Sequence, residues 1–388
     1  MDSKLVYRAL RQISQWTVDG FYSEVRVSGQ ENVPATGPLI VTPCHHNEIL
    51  DIATLAVTMP HRRPVCFWAK STMFANSIAK TIMTSSGSIP VRRNPNNSSN
   101  AGDKKKHGSE SNFALFRETF RALDKGEVVG VFPEGTSYTE PHIAQIKEGA
   151  AWAALEHARW QMQHTSEYKE GGPEKLMVVP VGIIYTDKSH FQSQVLVQYG
   201  KPIDTEPYAQ RYLASNDPHA EVKELTAEIE TRLTKLTVNA KDWCTTMSTS
   251  PKRRSFHTPH PWPVMQLSYS LMDRFDDGNS QEAVTKLVKY SGILYHAGIS
   301  HGSLVALYSS SEKPSRAVSI GVFLREAITT VLHPRFLCFF PIGLLHIPAY
   351  IVGSCAARFL ADPQEPETLA ERKAVCGGVT FGATAALL

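Results

Sequence analysis

The sequence predicts an α/β protein, a sheet covered by helices, followed by a C-terminal helical, membrane-associated region. Three observations predict it. Short β-branched or apolar runs recur at Val25–Val27, Leu39–Thr42, Val65–Trp68, Val128–Phe132, Val178–Tyr185 and Val195–Tyr199. Helix-like stretches lie between several of them, at Glu48–Thr58, Asn112–Leu123, Glu148–Gln163 and Ala220–Leu236; that alternation is the pattern of a layered α/β domain. Beyond Cys244 the pattern changes, because "TTMSTSPKRRSFHTPHPWP" is a polar, proline-bearing linker. The organisation expected is one domain over 1–245 and a second region over 246–388.

The N-terminus lacks the continuous apolar stretch and small-residue cleavage site of a signal peptide. Instead, Val6, Ala9, Leu10, Ile13 and Trp16 share one helical face, with Lys4, Arg8 and Arg11 opposite. The expected use of that apolar face is packing on its own domain; the alternative is a membrane interface. Between Asn94 and Asn112 the chain is almost free of apolar residues, as in a surface loop. Near the end, Phe336–Ala357 has no Asp, Glu, Lys or Arg across 22 residues. That length can span a bilayer. Pro341, Pro348 and His346 leave a kinked or re-entrant segment and a buried core segment as alternatives. The apolar last 15 residues offer part of a second membrane segment.

Composition excludes other classes. A net charge of +3 against 40 basic and 37 acidic residues does not make the broad basic face of a nucleic-acid binder. Six cysteines form no CxxC pair and no metal-ligand spacing, which argues against a zinc site or a disulfide framework and for a reducing compartment.

Chemistry concentrates in four stretches. In "PCHHNEILD", His46 is followed five residues later by Asp51. If Leu39–Thr42 is a strand and Asn47 caps the next helix, His46 precedes the cap and Asp51 takes the fourth helical position, the two positions that meet in a hydrophobic staple. A carboxylate there orients an imidazole so that its other nitrogen removes a proton. The competing reading makes Asp51 a partner of the helix dipole and His46 a surface residue. In "GSIPVRR", Arg92 and Arg93 suit a phosphate, or form a solvated basic pair. In "VFPEGTS", Gly135 permits close backbone approach and Glu134 can accept from a substrate hydroxyl, although a plain turn explains the same residues. In "VVPVGIIY", Pro180 and Gly182 point to an edge strand or a close ligand contact.

Taken in order, "HHNEILD", "GSIPVRR", "FPEGTS" and "VVPVGIIY" resemble the four motifs of the PlsC-like glycerolipid acyltransferases, over roughly residues 20–205. The polar insertion, the run through "FPEGTSYTEP" and the apolar tail look most like the fungal glycerol-3-phosphate/dihydroxyacetone-phosphate acyltransferases. The resemblance implies a mixed sheet covered by helices and His46 with Asp51 as the catalytic pair. It assigns the acceptor contacts to Arg92 or Arg93 and to Glu134, Gly135 and Thr136; if neither arginine holds the phosphate, Lys70 and Lys147 are the next candidates. It implies direct acyl transfer from acyl-CoA as co-substrate, without metal or other cofactor, to the sn-1 hydroxyl of glycerol 3-phosphate or dihydroxyacetone phosphate; lysophosphatidate is the alternative acceptor. The setting implied is a membrane, that of the endoplasmic reticulum, with the active site facing the cytosol.

One motif points elsewhere. Gly298-Ile299-Ser300-His301-Gly302 matches the G-x-S-x-G elbow of α/β-hydrolases. The elbow needs a strand before its serine, and "KLVKYSGILYHA" reads at least as well as helix.

Overall fold

The computed structural model describes residues 3–91, 108–138, 140, 142–164, 175–185, 188, 193–215, 217–237, 239, a few scattered positions from 286 to 332, 334–360 and 368–386. The chain divides into two units, Met1–Asn239 and Ala240–Leu388. Arg92, Arg93 and the 298–302 elbow lie outside the described residues.

In the first unit the strands are β1 (Glu24–Ser28), β2 (Leu39–Pro43), β3 (Val65–Lys70), β4 (Ile89–Val91), β5 (Val128–Gly130), β6 (Met177–Tyr185), β7 (Gln194–Tyr199) and β8 (Ile203–Asp204); six of them are the expected runs, and the short β4 and β8 are not among those runs. Helices α1 (Ser3–Phe21), α2 (Glu48–Thr58), α3 (Ser77–Ser85), α4 (Gly108–Asp124), α5 (Gly149–Gln163), α6 (Glu206–Ala214) and α7 (Pro218–Leu236) surround them. The sheet runs β1-β7-β6-β2-β5-β3-β4, with β8 paired to the start of β6. It is mixed: β6 is antiparallel to β7 and β8, and the remaining pairs are parallel. Ile40, Val129 and Val178 bury one face against Phe120 and Leu123 of α4, Leu155 of α5 and Leu225 and Ile229 of α7.

Because β2, β3, β5 and β6 run parallel, their carboxyl ends gather at one edge. Ligands bind at that edge in open α/β sheets. The residues following β2, ending β3, following β5 and ending β6 therefore converge, and three of the four sequence motifs supply them.

The expectation of an edge strand at "VVPVGIIY" is corrected, since β6 lies between β2 and β7. Pro180 is tolerated there because it falls in a gap: β8 pairs with Met177 and Val178, β7 with Val181–Tyr185. A missing N–H at position 180 thus breaks no ladder to β7. Gly182 gives its space to α7. A Cβ on it would lie 2.5 Å from the carbonyl oxygen of Leu236, the last residue of α7.

Helix α1 docks the opposite way from expectation. Arg11 turns inward and donates from Nε to the Ala56 carbonyl (3.0 Å) and from Nη2 to that of Val57 (3.0 Å). These carbonyls belong to the last turn of α2, where partners are missing and the helix dipole is negative. Tyr7 turns inward too and accepts from the Val65 amide at 3.2 Å. Leu5, Leu10, Ile13 and Trp16, the last of them 67% exposed, are left facing out.

In the second unit, α8 (Pro334–Phe359) and α9 (Thr368–Ala386) form an antiparallel pair. Small residues bring their backbones together: a Cβ on Gly353 would lie 3.5 Å from the Cα of Gly377. His346 stacks on Phe381 with ring centres 4.5 Å apart. The uncharged stretch 336–357 is one continuous helix through both prolines. Among the described residues no helix is long and apolar enough to cross a membrane, so the spanning expectation finds no support there.

The Gly182 contact yields a prediction. Gly182→Ala forces a methyl group against α7 backbone, and overpacking of this kind costs about 1–3 kcal/mol. The expected outcome is a lower urea midpoint by tryptophan fluorescence; an unchanged midpoint contradicts the close approach of β6 and α7.

Candidate active site

Strand β2 is buried along its whole length and delivers Cys44, His45 and His46 to the carboxyl edge of the sheet. Asn47 occupies the N-cap position of α2 and Asp51 the fourth helical position, as the sequence predicts. The cap works in reverse, however. The Asn47 side chain makes no capping bond; its backbone N–H donates 2.7 Å to Asp51 Oδ2.

The histidine that meets Asp51 is His45. Its Nδ1 lies 2.9 Å from Asp51 Oδ2. The expected pairing of His46 with Asp51 is therefore corrected, and the spacing in use is H-x5-D. The staple argument presumes a regular entry into the helix, whereas Glu48 opens α2 with φ of 44°. That left-handed step is rare for a residue with a side chain. His46 sits against Tyr138 instead (ring centres 4.9 Å apart, 68° between planes), and its carbonyl accepts from Lys188 Nζ at 2.9 Å. Burial pulls the His46 imidazole down to about 4, so it is neutral near pH 7.

Asp51 is completely buried. Burying a carboxylate is costly unless donors replace its water. Three do so: the Asn47 N–H, His45 Nδ1 and the hydroxyl of Tyr185, which lies 2.5 Å from Oδ1. His45 stacks on Phe132 with centroids 4.0 Å apart. Its Nε2 has no protein partner among the described residues, and the ring lines a cavity of about 210 Å3 together with Trp68, Lys70, Phe132, Gly135 and Lys147.

Of the residues expected to bind substrate, Gly135 lines this cavity and Thr136 is exposed outside it. Gly135 has φ of 75°, and a Cβ there would lie 2.8 Å from Lys147 Nζ. The space that glycine leaves is taken by a lysine. Glu134 is corrected from a substrate contact to an internal support, since Oε2 accepts from the His45 backbone N–H (2.7 Å) and Oε1 from the Tyr138 hydroxyl (2.9 Å). Burial pushes the Glu134 carboxyl up to about 8. Near neutral pH it therefore keeps its proton most of the time and adds little negative charge beside Asp51. Cys44, also buried, is a thiol pushed well above its ordinary range by desolvation, and is no nucleophile.

Sequence reasoning missed Tyr185 and Tyr138. Tyr185 closes the fourth motif, but no spacing rule links it to an aspartate 134 residues earlier. Among the described residues, no group of three or more His, Cys, Asp or Glu side chains forms a metal site.

Residues 24–184 match the family model described as Acyltransferase. Among curated proteins, the chain is 31% identical over 146 residues to glycerol-3-phosphate O-acyltransferase 2 of Saccharomyces cerevisiae, covering 37% of this chain and 18% of that protein. It is 24% identical over 243 residues to glycerol-3-phosphate O-acyltransferase 1 of the same yeast, covering 60% and 30%. Identity to the 1-acyl-sn-glycerol-3-phosphate acyltransferase of Bacillus subtilis is 29% over 132 residues, covering 34% and 56%. Among solved structures, the 1-acyl-sn-glycerophosphate acyltransferase PlsC of Thermotoga maritima is similar at 16% identity and a TM-score of 0.39, covering 60% of this chain and 80% of that one. The matched span is less than a third of either yeast relative. The His45–Asp51 pair and the cavity it lines thus sit inside the span, residues 24–184, that matches the Acyltransferase family model.

Proposed function

We propose that this chain is an acyl-CoA-dependent O-acyltransferase of glycerolipid synthesis that acylates glycerol 3-phosphate or dihydroxyacetone phosphate at the sn-1 position. The observation that carries the reading is an imidazole held through Nδ1 by a buried carboxylate while its ring lines a cavity furnished with two lysines. His45 Nε2 takes the proton of the acceptor hydroxyl. The oxygen attacks the thioester carbonyl, the C–S bond breaks, and the proton leaves with the thiol of coenzyme A. Acyl-CoA is a co-substrate, and the steps call for no other cofactor. Positioned general-base catalysis of this kind contributes about a hundred- to ten-thousand-fold.

Charge along the cavity wall supports a phosphorylated acceptor. Lys70 and Lys147 line it, and so do Gly149 and Ala150 in the first turn of α5. A helix N-terminus presents unpaired N–H groups to an anion. Arg92 and Arg93 stay assigned to the same phosphate by motif resemblance. The yeast relatives' names favour glycerol 3-phosphate; the Bacillus relative's name supports lysophosphatidate as a second acceptor.

The product is a lipid, and the reading includes attachment to a membrane, that of the endoplasmic reticulum with the site facing the cytosol. The outward stripe Leu5, Ile13 and Trp16 on α1 supports it, and α3 adds exposed Ile78 and Ile82 beside α1. Lys4, Arg8 and Lys80 against Asp19 make the outer side of these two helices basic, as suits an anionic surface.

Three outcomes are expected. His45→Ala loses at least about a hundredfold in acyl transfer while His46→Ala keeps most of it, with labelled acyl-CoA offered to each acceptor in turn; the reverse ranking contradicts the choice of base. Lys70→Ala or Lys147→Ala raises KM for the phosphorylated acceptor roughly tenfold and leaves that for acyl-CoA within about twofold. If neither does, the phosphate is held elsewhere. Replacing Leu5, Ile13 and Trp16 together by serine weakens flotation with phosphatidylcholine/phosphatidylserine vesicles by about tenfold or more, from the apolar area lost. Unchanged flotation removes α1 from the membrane contact.

A further inference from the structure

We propose that Tyr185 is a positioning residue that sets how strongly Asp51 holds the Nδ1 proton of His45. The proposal rests on the reading of His45 as the base. Tyr185 is the last residue of β6, and its hydroxyl donates to Asp51 Oδ1 at 2.5 Å. The other oxygen, Oδ2, is shared by the Asn47 N–H at 2.7 Å and His45 Nδ1 at 2.9 Å. The three groups form one chain: phenol to carboxylate, carboxylate to imidazole. Each hydrogen bond accepted by a carboxylate draws off part of its charge and weakens its pull on the remaining donors.

The phenol can only be the donor in this chain. Burial and the adjacent Asp51 charge push it well above the ordinary range for tyrosine, so it keeps its proton throughout the working pH range. Its ring packs on that of Tyr22 at the end of α1, with centroids 5.6 Å apart and 33° between planes. The titratable and charged groups around the pair are Tyr22, Cys44 and His46 with the dyad itself, Glu134 behind His45, and Lys188 on the His46 carbonyl. Tyr22 and Cys44 are held protonated by burial, His46 is held neutral, and Glu134, pushed up to about 8, bonds the His45 backbone N–H rather than Asp51. The charge that answers to Tyr185 is therefore that of Asp51.

Two directions of change follow from removing or strengthening one donor. Without the phenol hydroxyl, Asp51 keeps more charge for His45, the imidazolium is stabilised, and the base is freed of its proton only at higher pH. With a more acidic phenol, Asp51 gives up more charge and His45 is freed at lower pH. A side chain that only fills space moves neither.

The test compares the full chain carrying Tyr185→Phe with the full chain carrying 3-fluorotyrosine placed at position 185 alone. In Tyr185→Phe the acid limb of the kcat/KM profile moves up by roughly half a pH unit or more, and kcat falls about tenfold while KM for acyl-CoA stays within about twofold. With 3-fluorotyrosine the limb moves down. A limb that stays in place in both variants overturns the proposal. If the phenylalanine variant does not fold, the near-isosteric fluorotyrosine decides alone: a downward shift supports the proposal, and an unmoved limb overturns it. Titration of His45 by 15N NMR without substrates separates this proposal from the functional reading. Ordered His45 shifts in a chain that transfers no acyl group sink the functional reading alone. Acyl transfer that needs His45 yet ignores position 185 sinks the positioning role alone.

Discussion

The buried carboxylate of Asp51 is the constraint on which the site depends. An ion with no exposure to water persists only if the protein supplies its donors, and breaking such an arrangement by removing one partner is strongly destabilising. Here the donors come from two parts of the chain, the β2–α2 turn with His45 and the Asn47 N–H and β6 with Tyr185, while a third part, α2, carries the carboxylate itself. Satisfying one ion therefore fixes the relation between a strand end, a turn and a helix. It also fixes the imidazole, because the nitrogen that faces Asp51 leaves the other one on the cavity side.

A second carboxyl completes the arrangement by staying neutral. Glu134 lies behind His45, takes the backbone N–H of that residue, and is pushed up to about 8 by burial. Two acids near one another with opposite protonation states divide the work, one as the charge that orients the base and the other as a neutral clamp. Gly135, next in sequence, has the positive φ that a turn here requires and leaves room for Lys147. The "FPEGTS" motif thus builds the wall behind the base and the floor beside it.

How much of this was legible varies with the physics that decides each part. Helix α2 was readable to the residue, Glu48–Thr58, because Asn47 marks its start and Pro60 its end. Most of the sheet's strands were readable from β-branched or apolar runs, but the two-residue β8 was not, nor was the strand order, since nothing local sets which strand pairs with which. The choice between His45 and His46 turned on one dihedral, φ of 44° at Glu48, which no propensity predicts for glutamate. Pro180 suggested an edge by a sound rule and sits inside the sheet because β8 and β7 leave a gap opposite it. Helix α1 is amphipathic as read, yet two unpaired carbonyls at the end of α2 captured Arg11 and turned the apolar face outward. In each failure the tertiary setting, a turn dihedral, a gap between strands or a hydrogen bond, outweighed a local pattern.

The most direct measurement of the central claim is the tautomer of His45, read by 15N NMR of histidine-labelled protein before and after Asp51→Asn. The account predicts a neutral His45 protonated at Nδ1 in the parent chain. In the variant the amide oxygen stays toward the Asn47 N–H and His45 Nδ1 but has lost its charge, so the Nδ1–H bond to it weakens and the His45 Nδ1 resonance moves while His46 hardly responds. A response to Asp51→Asn confined to His46, with His45 unchanged, contradicts the account.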